Sequence, residues 1–196
     1  VTETLASFIK AGKIRAFGFS EIAPDTLRRA TAIHPVAAVQ SEYSLQTRAP
    51  ELGMLQECGR SGAALVAFSP VGRGLLTDTP PNAEKVAGIG FLVGNPRFME
   101  PNLTANLAAT DRFRALAAEM GTATATLAIA WVLAQGEQVI AIPGTRSVQH
   151  LEDLAAGATF KLSAEDLARI EQVLPVGWAA GDRYSDDQNV GPERFC

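Results

Sequence analysis

Four short apolar runs, each followed by a polar or glycine-rich stretch and then by helical spacing, restrict this chain to a small set of folds. Residues 14–19, 36–40, 64–68 and 138–142 read as strands. Leu65-Val66-Ala67 and Ile140-Ala141-Ile142 show no polar alternation, the mark of parallel strands buried on both faces. Helical spacing fills the gaps. Leu5, Phe8 and Ile9 precede a glycine cap at Gly12, and residues 24–33, 50–60, 126–135 and 147–156 follow the same rule. Strands alternating with helices are βα units of a barrel or of a doubly wound open sheet, and the pattern alone leaves both open.

Two segments stand outside this rhythm. Residues 71–101 are rich in glycine and proline and read as a long structureless loop, either functional or a mobile surface insertion, ahead of an amphipathic stretch at 103–120. Ser163-Ala164-Glu165-Asp166 opens a C-terminal helix with a capping-box-like start, and the polar residues after Pro175 read as irregular.

The 196 residues suffice for one domain, 1–196, but are few for a complete α/β barrel. A net charge of −4 gives no electrostatic ground for nucleic acid or an anionic membrane as partner. No apolar stretch is long enough to span a bilayer, and the first ten residues lack the basic-then-apolar order of a secretory signal. Cys58 and Cys196 form neither a disulfide framework nor a metal site of usual spacing. The expected setting is reducing and cytoplasmic.

Ligands of α/β proteins bind beyond the carboxyl ends of the strands, so the chemistry is sought there. Ser20 and Gln40 supply a hydroxyl and an amide, which suit a neutral carboxamide, and Phe68 suits stacking on a flat ring. Gly144-Thr145-Arg146-Ser147 leads straight into a helix. Backbone N–H groups, a hydroxyl and a guanidinium together make a phosphate site, while Ser147 as an N-cap beside a solvated Arg146 is the plainer alternative. His34 reads as structural and His150 as exposed. A triad of Ser69, His34 and Asp25 lacks the Gly-x-Ser-x-Gly elbow.

At these strand ends the chain resembles the aldo-keto reductase family, above all its bacterial members. The resemblance is carried by Gly12-Lys13-Ile14-Arg15-Ala16-Phe17-Gly18-Phe19-Ser20, Val39-Gln40-Ser41-Glu42-Tyr43-Ser44 and Ala67-Phe68-Ser69-Pro70-Val71-Gly72-Arg73-Gly74-Leu75-Leu76. Leu127-Ala128-Ile129-Ala130-Trp131-Val132-Leu133 and Ile142-Pro143-Gly144-Thr145-Arg146 complete it, in the family's order. The resemblance implies a (β/α)8 barrel of which this chain supplies strands 5 to 8 with their helices and a C-terminal helix. It implies NADPH as cofactor and small aldehydes or ketones as substrates. Ser20 and Gln40 would hold the nicotinamide carboxamide, with Phe68 on the ring. Ser69, Val71 and Arg73 would line the pyrophosphate. Gly144, Thr145 and Arg146 would receive the 2′-phosphate, and His150 and Asp153 would meet adenine and phosphate.

The chain departs from the family at Glu21 and Leu154, where asparagine is common, and at Asp153, where glutamate is usual. The family's catalytic Asp, Tyr, Lys and His would fall in the other half of the barrel. Tyr43, Lys13, His34 and Asp25 do not occupy the matching motifs, and by this expectation the chain alone is inactive. Four strands alone leave two sheet edges open, so a second half-barrel or a homo-oligomer is the expected partner. An NADPH-binding sensor or accessory module, or an inactive truncation product, are the alternatives to the reductase.

Overall fold

The computed structural model describes residues 1–193, with Cys196 outside them. Its sheet begins at a close approach. A Cβ on Gly18 would meet the Ala38 carbonyl oxygen at 2.6 Å, so the first strand can lie against the second only without a side chain there. Strand β1 is Gly18–Ser20, β2 is Ala38–Glu42, β3 is Ala64–Phe68 and β4 is Val139–Ile142. Every neighbouring pair is parallel, in the order β1-β2-β3-β4.

Helices supply the crossovers: α2 (Pro24–Thr31) between β1 and β2, α3 (Met54–Ser61) between β2 and β3, and α4 (Ala83–Ala87), α5 (Asn102–Glu119) and α6 (Thr124–Leu133) between β3 and β4. Helix α1 (Thr2–Lys10) precedes the sheet, and α7 (Val148–Ala156) and α8 (Ala164–Val173) follow it. The core lies on the helix side of the sheet, where Val39, Leu65, Ala67 and Val139 pack with Leu27, Met54, Cys58, Leu127, Trp131 and Ile170. Each fully buried aliphatic side chain there contributes about 1.5–3 kcal/mol of transfer free energy. Nearly every residue of α6 is buried, as its uninterrupted apolar run predicts. Among the described residues no single helix is long and apolar enough to cross a membrane.

The opposite face of the sheet is uncovered. Ser20 and Gln40 are exposed there, and Ile140 and Ile142 remain 50% and 42% exposed. The register sets Ser20, Gln40, Val66 and Ile140 in one row across the four strands, with Glu42, Phe68 and Ile142 in the next.

Several boundaries differ from the sequence reading. β1 spans only three residues because its register with β2 starts at Gly18 opposite Ala38; the Phe17 carbonyl still accepts from the Ala37 N–H at 2.9 Å, and residues 14–16 lie outside the ladder. β2 runs on through Ser41 and Glu42, since backbone pairing with Ala67 and Phe68 needs no apolar side chain. The helix expected at 50–60 is a 3-10 turn at Ala49–Leu52, a break at Gly53 (φ 154°), and then α3. The largest correction concerns residues 71–101, which are not structureless. They hold α4, capped by the Asn82 side chain, and 3-10 turns at Gly72–Gly74 and Pro96–Phe98. Leu75, Val86, Leu92 and Phe98 form a small core with Leu103 of α5, which keeps this insertion folded.

Candidate functional site

The carboxyl ends of β3 and β4 open into a cleft of about 1000 Å³. One wall is the turn that follows β3. Ser69 and Arg73 sit there at φ 50° and 55°, and this sharp backbone path carries Phe68, Ser69, Val71 and Arg73 onto the cleft surface. The other wall is the loop after β4 and the first turns of α7, with Gly144, Thr145, Arg146, His150 and Asp153. The structure thus brings together two groups of sequence-predicted residues that lie about seventy positions apart. Ser20 and Gln40 are not cleft-lining. They stand side by side on the uncovered face, Gln40 one strand and Ser20 two strands over from the Phe68 strand.

Both readings of the Gly144–Ser147 turn meet in the geometry. Ser147 caps α7, its Oγ accepting from the His150 N–H at 3.4 Å, and the Ser147 N–H donates to Thr145 Oγ1 at 3.2 Å. Arg146 is exposed on the cleft and has no side-chain partner among the described residues. The cap uses one orphan donor of the helix start and the Thr145 hydroxyl donates to the Ser147 carbonyl at 3.3 Å, which leaves the Arg146 guanidinium as the group beside it available to an anion.

Leu154 lines the cleft while packing with Ala125 and Ile129, so the position serves the core here rather than a polar contact. Asp153 accepts weakly from Gln149 Nε2 at 3.4 Å, and its backbone oxygen accepts from Thr126 Oγ1 at 2.6 Å. Glu21, at φ 54° and 8% exposed, binds Arg183 through both carboxylate oxygens, at 3.0 and 2.7 Å.

Next to the cleft lies a charged cluster that the sequence reading missed. Glu42 is fully buried and accepts from Arg73 Nη2 at 2.5 Å and from Thr47 Oγ1 at 2.9 Å. Arg97 donates to Thr47 Oγ1 at 2.6 Å; burial pulls its pKa down, opposed by the Glu42 charge. The Arg73 guanidinium lies 4.3 Å from the Phe91 ring and 5.3 Å from the Tyr184 ring. Burial, then Glu42, raises the Tyr184 pKa. A carboxylate closing an apolar strand was the available signal for Glu42. The insertion also brings Lys85 and Ile89 of the α4 region to the cleft, and an asparagine cap three residues before Lys85 was the signal for that helix.

The residues set aside as catalytic candidates stay apart. Tyr43 is buried on the helix side, where its hydroxyl donates to Glu51 at 2.9 Å and burial raises its pKa. His34 packs on Phe17, while Asp25 pairs with Arg28 and Arg29, so no Ser69–His34–Asp25 triad forms.

A parallel sheet with a cleft of mixed apolar and charged lining at its carboxyl ends, one wall a helix start, defines an α/β protein with its candidate ligand site beyond the strand ends. The model of the aldo/keto reductase family matches residues 1–175, and the chain belongs to that family, whose fold is the α/β barrel. It is 41% identical over 180 residues to the probable aldo-keto reductase 1 of Glycine max, covering 92% of this chain and 52% of that protein. The aldo-keto reductase yakc of Schizosaccharomyces pombe, named for NADP(+), is 34% identical over 183 residues, covering 92% of this chain and 54% of the relative. Among solved structures, the glycerol dehydrogenase AKR11B4 from Gluconobacter oxydans superposes with a TM-score of 0.75 at 29% identity, over 88% of this chain and 53% of that one. The chain spans about half the length of the curated relatives it matches.

Proposed function

We propose that this chain is the cofactor-holding part of an NADPH-dependent aldo-keto reductase, corresponding to strands 5 to 8 of the barrel. The observation that carries this is the one cleft that joins the turn after β3 to the helix start after β4, lined by Phe68 and by an Arg146 that has no side-chain partner among the described residues. These residues fit a phosphorylated dinucleotide. Arg146, Thr145 and the Gly144 backbone would hold the 2′-phosphate, and Ser69, Val71 and Arg73 would border the pyrophosphate. Phe68 would stack on the nicotinamide, with Ser20 and Gln40 on its carboxamide, while His150 and Asp153 would border the adenine.

When bound, NADPH supplies the hydride that reduces an aldehyde or ketone carbon. The chain's own residues bind and orient the ring, and they keep it against the uncovered face of the sheet. The proton that reaches the carbonyl oxygen would come from residues outside 1–196, a general-acid contribution of about 10²–10⁴-fold. A second half-barrel would bring that donor and cover the open face. The reading carries a cytoplasmic setting, in which Cys58 is kept as a buried thiol.

Titration of NADPH and NADH into the chain, followed by nicotinamide fluorescence, tests the proposal. NADPH is expected to bind more tightly than NADH, and Arg146→Ala should weaken NADPH by about tenfold or more, the loss of a charge-assisted phosphate contact of roughly 1.5–3 kcal/mol. Equal affinity for both nucleotides, unchanged by the substitution, would remove the 2′-phosphate assignment.

A further inference from the structure

Residues 176–193 contain neither helix nor strand, yet they follow a defined path across the strand ends. Trp178 Nε1 donates to the Leu45 carbonyl at 2.7 Å, and the Ala180 N–H donates to Asn106 Oδ1 at 2.8 Å. Asn95 of the insertion donates to the Arg183 carbonyl at 2.9 Å and to Gln188 at 3.1 Å. The far end is fixed at β1. Arg183 makes its two bonds to the Glu21 carboxylate, and the Glu193 N–H donates to the Glu21 carbonyl at 2.8 Å. The Glu193 carboxylate in turn accepts from the Ala23 N–H and from Thr26 Oγ1, each at 2.7 Å.

Glu21 is the point on which this path turns. Its left-handed backbone aims the carboxylate along the strand ends, and Oε1 also accepts from the Glu42 N–H at 3.2 Å. Both oxygens are therefore engaged. An asparagine at this position would offer one oxygen and a donor, and could not grip a guanidinium with two anionic atoms.

We propose that Glu21 is a positioning residue that anchors the strap of residues 176–193 across the strand ends, and thereby holds the Tyr184–Arg73–Phe91 stack beside the cleft. The consequence for the site rests on the cofactor reading above; the anchor itself does not. Arg73, the member of that stack that lines the cleft, is then held in place by contacts within the protein, independent of any ligand.

Hydrogen exchange of the full chain tests the anchor in a double-mutant cycle of Glu21→Ala and Arg183→Ala. Each single variant is expected to speed exchange in the strap by about tenfold while α5 and α6 keep their protection, with the double variant no faster than either single one. Arg183→Lys, which keeps the charge and loses the fork, should fall between. Unchanged strap exchange in Arg183→Ala, or effects that multiply in the double variant, would overturn the anchor. NADPH adds a second readout. Release of the strap should reduce the emission of bound nicotinamide, and in Arg183→Ala as much as in Glu21→Ala. A loss confined to Glu21→Ala would make Glu21 a cofactor ligand instead. Failure of the unmodified chain to bind NADPH would count against the cofactor reading and leave the exchange cycle to decide the anchor.

Discussion

Asn106 shows how much a single buried polar residue is asked to do in this protein. It is fully buried on α5, donates to the Arg97 and Ala180 carbonyls at 3.0 Å each, and accepts from the Ala180 N–H. One amide thus ties a helix to the insertion and to the strap. Asn106→Leu would keep the volume and leave three backbone groups without partners. A loss of about 1–3 kcal/mol for each group that stays buried is expected, read as a lower midpoint in urea unfolding. Residue-level roles of this kind were hidden in the sequence. An asparagine and a threonine on the inner face of residues 103–120 blur the apolar stripe, and nothing local says that their partners lie at 97 and 180. The strand-end residues were more legible. Phe68, Arg73 and Arg146 follow apolar runs, and position alone places such residues where ligands bind.

Whole elements were read most securely where the pattern is local. The strand at Ala64–Phe68 and the buried α6 follow directly from uninterrupted apolar runs, and Gly62, at φ 74°, ends α3 in the left-handed cap its position predicts. The insertion was misread because its helix is only five residues long and its small core draws on α5, beyond the segment itself. The start of α8 was legible for the opposite reason, since a capping box is written within four residues. Ser163 Oγ accepts from the Asp166 N–H at 3.1 Å, and Asp166 Oδ2 accepts from the Ser163 N–H at 2.9 Å. Ser163→Ala should cost about 1 kcal/mol, visible as a lower Tm. The Ser163 hydroxyl and backbone hold the Asp166 carboxyl below the usual carboxylate range. Its contribution is therefore present above the ordinary carboxylate pKa and lost as pH falls through the lower folded value, and an acid titration of Ser163→Ala should show a smaller acid-side decline than the unmodified chain.

At the scale of the molecule, the uncovered sheet face dominates. Ser20, Gln40, Ile140 and Ile142 lie open on it, and β1 and β4 are edges with unpaired backbone groups. The sequence pointed to this face through its parallel βα rhythm and through a length too short for eight units. Which residues lie on it followed only from the register. The chain by itself is expected to associate through this surface in proportion to concentration. Ile140→Lys, placing a charge in the middle of the row, should move the mass in light scattering towards the 20.7 kDa of a single chain.

The strap also bears on biosynthesis. Glu21 and Arg183 are 162 positions apart, and Ala23 and Glu193 are 170. At ordinary translation rates the ribosome needs on the order of ten seconds to make the intervening chain. Throughout that interval the end of β1 carries a carboxylate whose guanidinium has not yet been synthesised, so this strand end is where a nascent-chain chaperone would find the protein unfinished.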